Sequence, residues 1–170
     1  TKNSGGDLVG IRFLAASGSL YHVTVDGVSH GNGVQEGKGV LVDNRTGTHN
    51  VQVVVTGSTV VNYQKNGIDV RGDGATLELR DSTVGRAGSP LGAAIDTSTA
   101  ANSVVVAYGA SAVIAGNHIT GNDWDGTNDV SAARDWNATA VLLYQAASAV
   151  VERNVIDGAG TDTGIDSAQS

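Results

Sequence analysis

Apolar and polar residues alternate in short runs along the whole chain. The clearest example lies between Tyr63 and Val84, where Gly67-Ile68-Asp69-Val70 and Thr76-Leu77-Glu78-Leu79 each alternate. Arg71-Gly72-Asp73-Gly74 separates the two runs. A period of two is that of a half-buried strand, and Gly-Asp-Gly is turn chemistry. The second run ends in Ser82-Thr83-Val84, a small polar residue two places before a β-branched one. The same unit returns along the sequence, which marks a repeat architecture.

Aligning the unit gives five copies: Tyr21–Val28, Val51–Val60, Ala75–Val84, Ser111–Ile119 and Ser148–Ile156. The polar column is Asp26, Ser58, Ser82, Asn117 and Asn154. The apolar columns are Val28, Val60, Val84, Ile119, Ile156; Val23, Val55, Leu79, Ile114, Val151; and Tyr21, Val53, Leu77, Ala112, Ala149. Each copy is preceded by a second strand: Gly10–Phe13, Gly39–Val42, Gly67–Val70, Val104–Val106 and Ala140–Leu143, with a sixth beginning at Gly164. Identical columns in every copy fit residues stacked inside a coil. Short strands, Gly-rich turns and no helix long enough for a crossover predict an all-β, parallel β-helix of about five to six coils. Stacked at about 4.8 Å, five coils make a rod about 25 Å long. The whole chain, residues 1–170, reads as one such domain, comparable to or cut from a longer rod.

Composition narrows the partners. The formal charge is -7, which argues against nucleic acid, since phosphates must be met by Lys and Arg. There is no cysteine and hence no thiol chemistry or disulfide framework. No apolar run approaches the roughly 20 residues of a membrane span. The chain starts at Thr1 rather than Met, so a removed leader or a larger precursor is expected, and the absence of Cys, the negative charge and the wealth of Gly, Ser, Thr and Asn suit a secreted or cell-surface location.

Two inserts break the rhythm, Arg86–Asn102 and Gly121–Asn137. The second holds both tryptophans, Trp124 and Trp136. Loops inserted at one corner of successive coils lie side by side, and such a face often binds. Asp123, Asp125 and Asp129 on a Gly-containing loop offer hard oxygen ligands that suit Ca²⁺, and equally read as a solvated acidic loop. His118, Arg134 and Asp135 are the candidates for proton transfer, and equally an exposed histidine beside a surface ion pair. Tyr108 and Tyr144 fall at the same place in consecutive coils, either a platform for a sugar or a ladder closing a corner. Outward positions turn apolar in the late coils at Val105, Val113, Leu142 and Val150, whereas Arg12, Asp69, Glu78 and Arg80 stand there in early ones. Such a stripe is expected to be covered, by Trp124, Trp136 or another chain, self-association included. Two further motifs, Arg71-Gly72-Asp73 and the sequons at Asn44 and Asn137, read as an ordinary turn and as sites for glycan only in a eukaryotic secretory route.

The endings Ser82-Thr83-Val84, Asn117-His118-Ile119 and Asn154-Val155-Ile156, with the junction Tyr63–Ile68, resemble the right-handed parallel β-helix repeats of the pectate-lyase-like superfamily, most nearly secreted bacterial members without assigned activity. That resemblance implies a right-handed coil and a module that binds or acts on polysaccharide, uronate-containing above all, by lyase-like or other carbohydrate chemistry. It carries no catalytic residue across, because the motifs Asn-Thr-Asp, Asp-Asp, Gly-His-Gly and Asp-Pro-His-Glu are absent. The other reading is a non-catalytic structural or adhesive rod.

Overall fold

Each coil turns the period-two pattern into three short strands. The computed structural model describes residues 8–29, 35–86, 98–125, 137–157 and 162–169. The first coil comprises β1 (Val9–Leu14), β2 (Gly18–Tyr21) and β3 (Thr24–Asp26). The second has β4 (Lys38–Asp43), β5 (Val51–Thr56) and β6 (Thr59–Val61). The third has β7 (Asn66–Arg71), β8 (Ala75–Arg80) and β9 (Thr83–Gly85). The fourth has β10 (Asn102–Ala107), β11 (Ser111–Ala115) and β12 (His118–Thr120). The fifth has β13 (Thr139–Tyr144), β14 (Ser148–Glu152) and β15 (Val155–Asp157), and β16 (Thr163–Ala168) starts a sixth. Corresponding strands pair in parallel to form sheet A (β1-β4-β7-β10-β13-β16), sheet B (β2-β5-β8-β11-β14) and sheet C (β3-β6-β9-β12-β15). The fold is a right-handed parallel β-helix. Among the described residues no helix is long and apolar enough to cross a membrane.

The interior consists of stacked columns. Val40, Ile68, Val104 and Val141 follow one another in sheet A. Val55, Leu79, Ile114 and Val151 do so in sheet B, and Val60, Val84, Ile119 and Ile156 in sheet C. Parallel in-register stacking lets each β-branched side chain rest on an identical neighbour, so the apolar face is buried without helices.

The turn from sheet B to sheet C uses one left-handed residue in every coil: His22, Gly57, Asp81, Gly116 and Arg153, with φ between 48° and 70°. The next residue forms a polar ladder. The Val23 amide donates to Ser58 Oγ (3.1 Å), the Ser58 amide to Ser82 Oγ (3.1 Å), the Ser82 amide to Asn117 Oδ1 (2.9 Å) and the Asn117 amide to Asn154 Oδ1 (2.9 Å). Every buried amide of this turn thus finds its acceptor one coil further on.

The first coil departs from the expected columns. Leu20 lies opposite Val55, and Val25 opposite Val60. Val23 therefore holds the ladder position expected for Asp26, and the predicted alignment of this coil is three residues out. The hinge residue varies, being His22 here, Gly57 and Gly116 in coils two and four, and Asp81 and Arg153 in coils three and five, but only in the first coil is the next residue apolar. Asp26-Gly27-Val28 then imitates the polar-x-apolar ending.

Candidate functional site

The A-to-B corner gathers side chains from four coils. Asp43, Arg71, Ala107 and Tyr144 succeed one another in register. At about 4.8 Å per coil, Asp43 and Tyr144 stand about 15 Å apart along the rod. The Arg45 guanidinium grips Asp43 with two bonds, Nε to Oδ1 (3.0 Å) and Nη2 to Oδ2 (2.9 Å). Arg71 Nη2 adds a third, to Asp43 Oδ2 (3.1 Å). Above them the Tyr108 and Tyr144 rings meet edge to face with centroids 5.5 Å apart. The register corrects the expected equivalence by one residue, because Tyr144 lies opposite Ala107. The left-handed φ of Tyr108 (53°) swings its ring out of line, and the side chain is 47% exposed. The pair therefore closes a corner and leaves one ring in solvent.

Burial alone would raise the Asp43 pKa, but the bonds from Arg45 and the charge of Arg71 win and hold it at about 2. A carboxylate depressed in the fold stabilises it above its unfolded pKa of about 3.8, and that contribution is lost as pH falls through about 2. The stability gap between the native chain and Asp43→Asn is expected to shrink by about 1–2 kcal/mol between about pH 5 and 2, after allowance for the exposure of Arg45. Urea unfolding at a series of pH values measures it; a gap independent of pH would show that Asp43 is not held by its arginines.

The outer face of sheet A holds a second cluster, which alternation alone did not reveal. Leu41, Asp69 and Val105 form one outward column, and all three are buried. Asp69 accepts a bond from Asn66 Nδ2 (3.0 Å), and Arg71 Nη1 stands 3.9 Å from it. Burial raises the Asp69 pKa, partly offset by Arg71 and Asn66. Asn66 Oδ1 in turn accepts from Asn102 Nδ2 (3.2 Å), and Asn102 Oδ1 accepts from Thr139 Oγ1 (2.8 Å). Lys65 donates from Nζ to the Ala100 carbonyl, and its pKa is lowered to about 8 by burial and by nearby Lys38. Where sheet C passes into sheet A, Tyr63 is fully buried, its hydroxyl on Ser103 Oγ (2.5 Å) and Asn122 Oδ1 (3.3 Å). Burial pushes this phenol up to about 12, so it serves as a fixed hydrogen-bonding post and stays protonated.

His118 points outward from sheet C with its Nε2 3.6 Å from Asp157 Oδ2, both well exposed. Arg134 and Asp135, its expected companions, lie outside the described residues, as do Trp136 and Asp129. Trp124 is half-buried, and Asp123 and Asp125 are exposed. Among the described residues no three His, Cys, Asp or Glu side chains converge on a metal-sized space.

The apolar stripe divides. On sheet A, Val105 is 6% exposed and Leu142 half-buried, whereas on sheet B Val113 is half-buried and Val150 51% exposed. Asp69 occupies the same column as Val105 and is also buried, so polarity did not mark an open surface there. The Arg71-Gly72-Asp73 turn does not display its arginine, which is spent on Asp43. Asn44 cannot present its amide to a glycan, because Nδ2 donates to the His49 carbonyl (3.0 Å) and the Asp73 carbonyl (2.7 Å). Asn137 is exposed. No protein-family model, no curated protein and no solved structure matches the chain.

Proposed function

We propose that the A-to-B corner binds acidic polysaccharide, lying along the rod, as an extracellular module. The observation that carries this reading is the exposed Tyr108 ring, braced by Tyr144, on the same corner as the Arg45–Asp43–Arg71 cluster. Tyrosine offers a ring face for the apolar side of a sugar. Guanidinium groups match carboxylate geometry, and Arg45 is half-exposed where Arg71 is held inside. Coils two to five set these contacts one after another along an axis, which suits a polymer better than a small molecule. The likeness of the strand endings to the pectate-lyase-like superfamily supports the same substrate class.

Gel retardation on polygalacturonate, alginate and a neutral glucan tests the reading, with ultraviolet absorbance for unsaturated products run in parallel. Retardation by the uronates alone is expected, weakened by salt. Tyr108→Ala is expected to weaken it about tenfold, the loss of one aromatic contact of about 1.4 kcal/mol. Failure of the native chain to bind any of the three would overturn it. New absorbance would add lyase chemistry, and its dependence on added Ca²⁺ would bring Asp123, Asp125 and Asp129 back into view.

A second reading, the self-associating rod, is favoured by the apolar side chains Val150, Val155 and Ile165 left exposed in the last coils. Sedimentation that rises with concentration would support it, and a monomer at all concentrations would remove it.

A further inference from the structure

The buried cluster on sheet A holds the parts of a condensation that the binding reading does not use. Lys38 and Asn66 are register partners on adjacent strands of coils two and three, each 7% exposed. The Asn66 carboxamide is engaged at both ends. Its Oδ1 accepts from Asn102 Nδ2, and its Nδ2 donates to Asp69 Oδ2 at 3.0 Å. Lys38, on the strand beside Asn66, lies near enough for its charge to act on the same Asp69 carboxylate. Asp69 is 3% exposed, and its Oδ1 has no hydrogen-bond partner.

We propose that Lys38 and Asn66 form an isopeptide cross-link between the second and third coils, with Asp69 as the proton carrier. Asp69 takes a proton from the Lys38 ammonium, and the freed Nζ lone pair attacks Asn66 Cγ. Negative charge then builds on Oδ1, where the Asn102 amide already donates. The Cγ–Nδ2 bond breaks, and Nδ2 leaves as ammonia with the proton that Asp69 returns. The remaining amine proton goes to solvent or to Asp69. One primary amide and one amine become one secondary amide and one ammonia, with no oxidant or reductant. Burial favours this exchange, because it disfavours the charged form of the Asp69 carboxyl and so helps it hold the proton. The raised Asp69 pKa agrees with that role.

The experiment is intact-mass measurement of the purified folded chain, held at mildly alkaline pH until the mass is constant, followed by peptide mapping. The expected mass is one ammonia below that of the sequence, with a linked peptide pair joining Lys38 to Asn66. Full mass in the native chain overturns the proposal. The Asn66-Gly67 dipeptide can also lose ammonia by cyclising on its own backbone. Lys38→Arg, which keeps the charge, separates the two: full mass is expected, and persistence of the ammonia loss overturns the cross-link. Asp69→Asn, checked for native circular dichroism, is expected to stay at full mass; linkage at the native rate would remove Asp69 from the reaction.

Discussion

Gly67→Ala is expected to destabilise the chain by about 3 kcal/mol, although it adds a single methyl group. A Cβ at this position would lie 2.5 Å from the Ser103 carbonyl oxygen and 2.7 Å from both Tyr63 Cε1 and Val84 Cγ1. The first contact is backbone of the adjoining strand, so relief requires β7 and β10 to part where Asn66 and Asn102 are bonded. The second is the Tyr63 ring, which cannot retreat without giving up Ser103 and Asn122. Gly164 is the control: it is the second residue of β16 as Gly67 is of β7, and the nearest atom to its added Cβ is 3.9 Å away. Gly164→Ala is expected to change stability by less than about 0.5 kcal/mol. Equilibrium urea unfolding of both variants decides it. Equal effects would mean that the close approach of coils three and four is not what demands glycine.

This constraint shows what the sequence could and could not disclose. Columns of Val, Leu and Ile in coils two to five were legible, because stacking repeats the same residue type at the same offset and alternation states which face is inward. The first coil slipped by three because its ladder position is held by the apolar Val23, while Asp26-Gly27-Val28 imitates the polar-x-apolar ending further along. Lys38 and Asp69 were invisible as a site for a different reason. Alternation assigns Asp69 to the outer face, where a polar residue reads as solvated, and Lys38 stands just before the run read as a strand from Gly39. Only the fold shows that sheet A is buried on both faces in coils two to four. The tyrosines were legible as a pair, but their one-residue offset, which exposes the Tyr108 ring and leaves Tyr144 half-buried, depends on the left-handed backbone of Tyr108.

The two polar systems of the rod do opposite work. The outer cluster on sheet A concentrates charged groups where burial raises the pKa of the Asp69 carboxyl and lowers that of the Lys65 amine. The ladder between sheets B and C contains no charge among its rungs and fixes geometry. The ladder is needed by a coil that must bury backbone at its B-to-C corner, since that turn leaves amides that neither sheet can pair.

The ladder yields the second large effect. Asn117→Leu is expected to cost about 3 kcal/mol, despite nearly equal volume and a more apolar side chain. Asn117 is buried, its Oδ1 accepts the Ser82 amide (2.9 Å), and its Nδ2 donates to the Leu79 carbonyl (3.0 Å) and to Asn154 Oδ1 (2.9 Å). Leucine would leave the Ser82 amide and the Leu79 carbonyl buried with that partner gone, and each stranded group costs about 1–3 kcal/mol. Asn117→Ser should cost less, about 1 kcal/mol, because Ser58 and Ser82 serve the same column with a hydroxyl. The order Leu worse than Ser runs against hydrophobicity and so isolates the hydrogen bonds from the packing. Unfolding midpoints for the two variants measure it directly. If leucine proved as stable as asparagine, the ladder would be a by-product of the coil, and the apolar columns alone would have to hold the register.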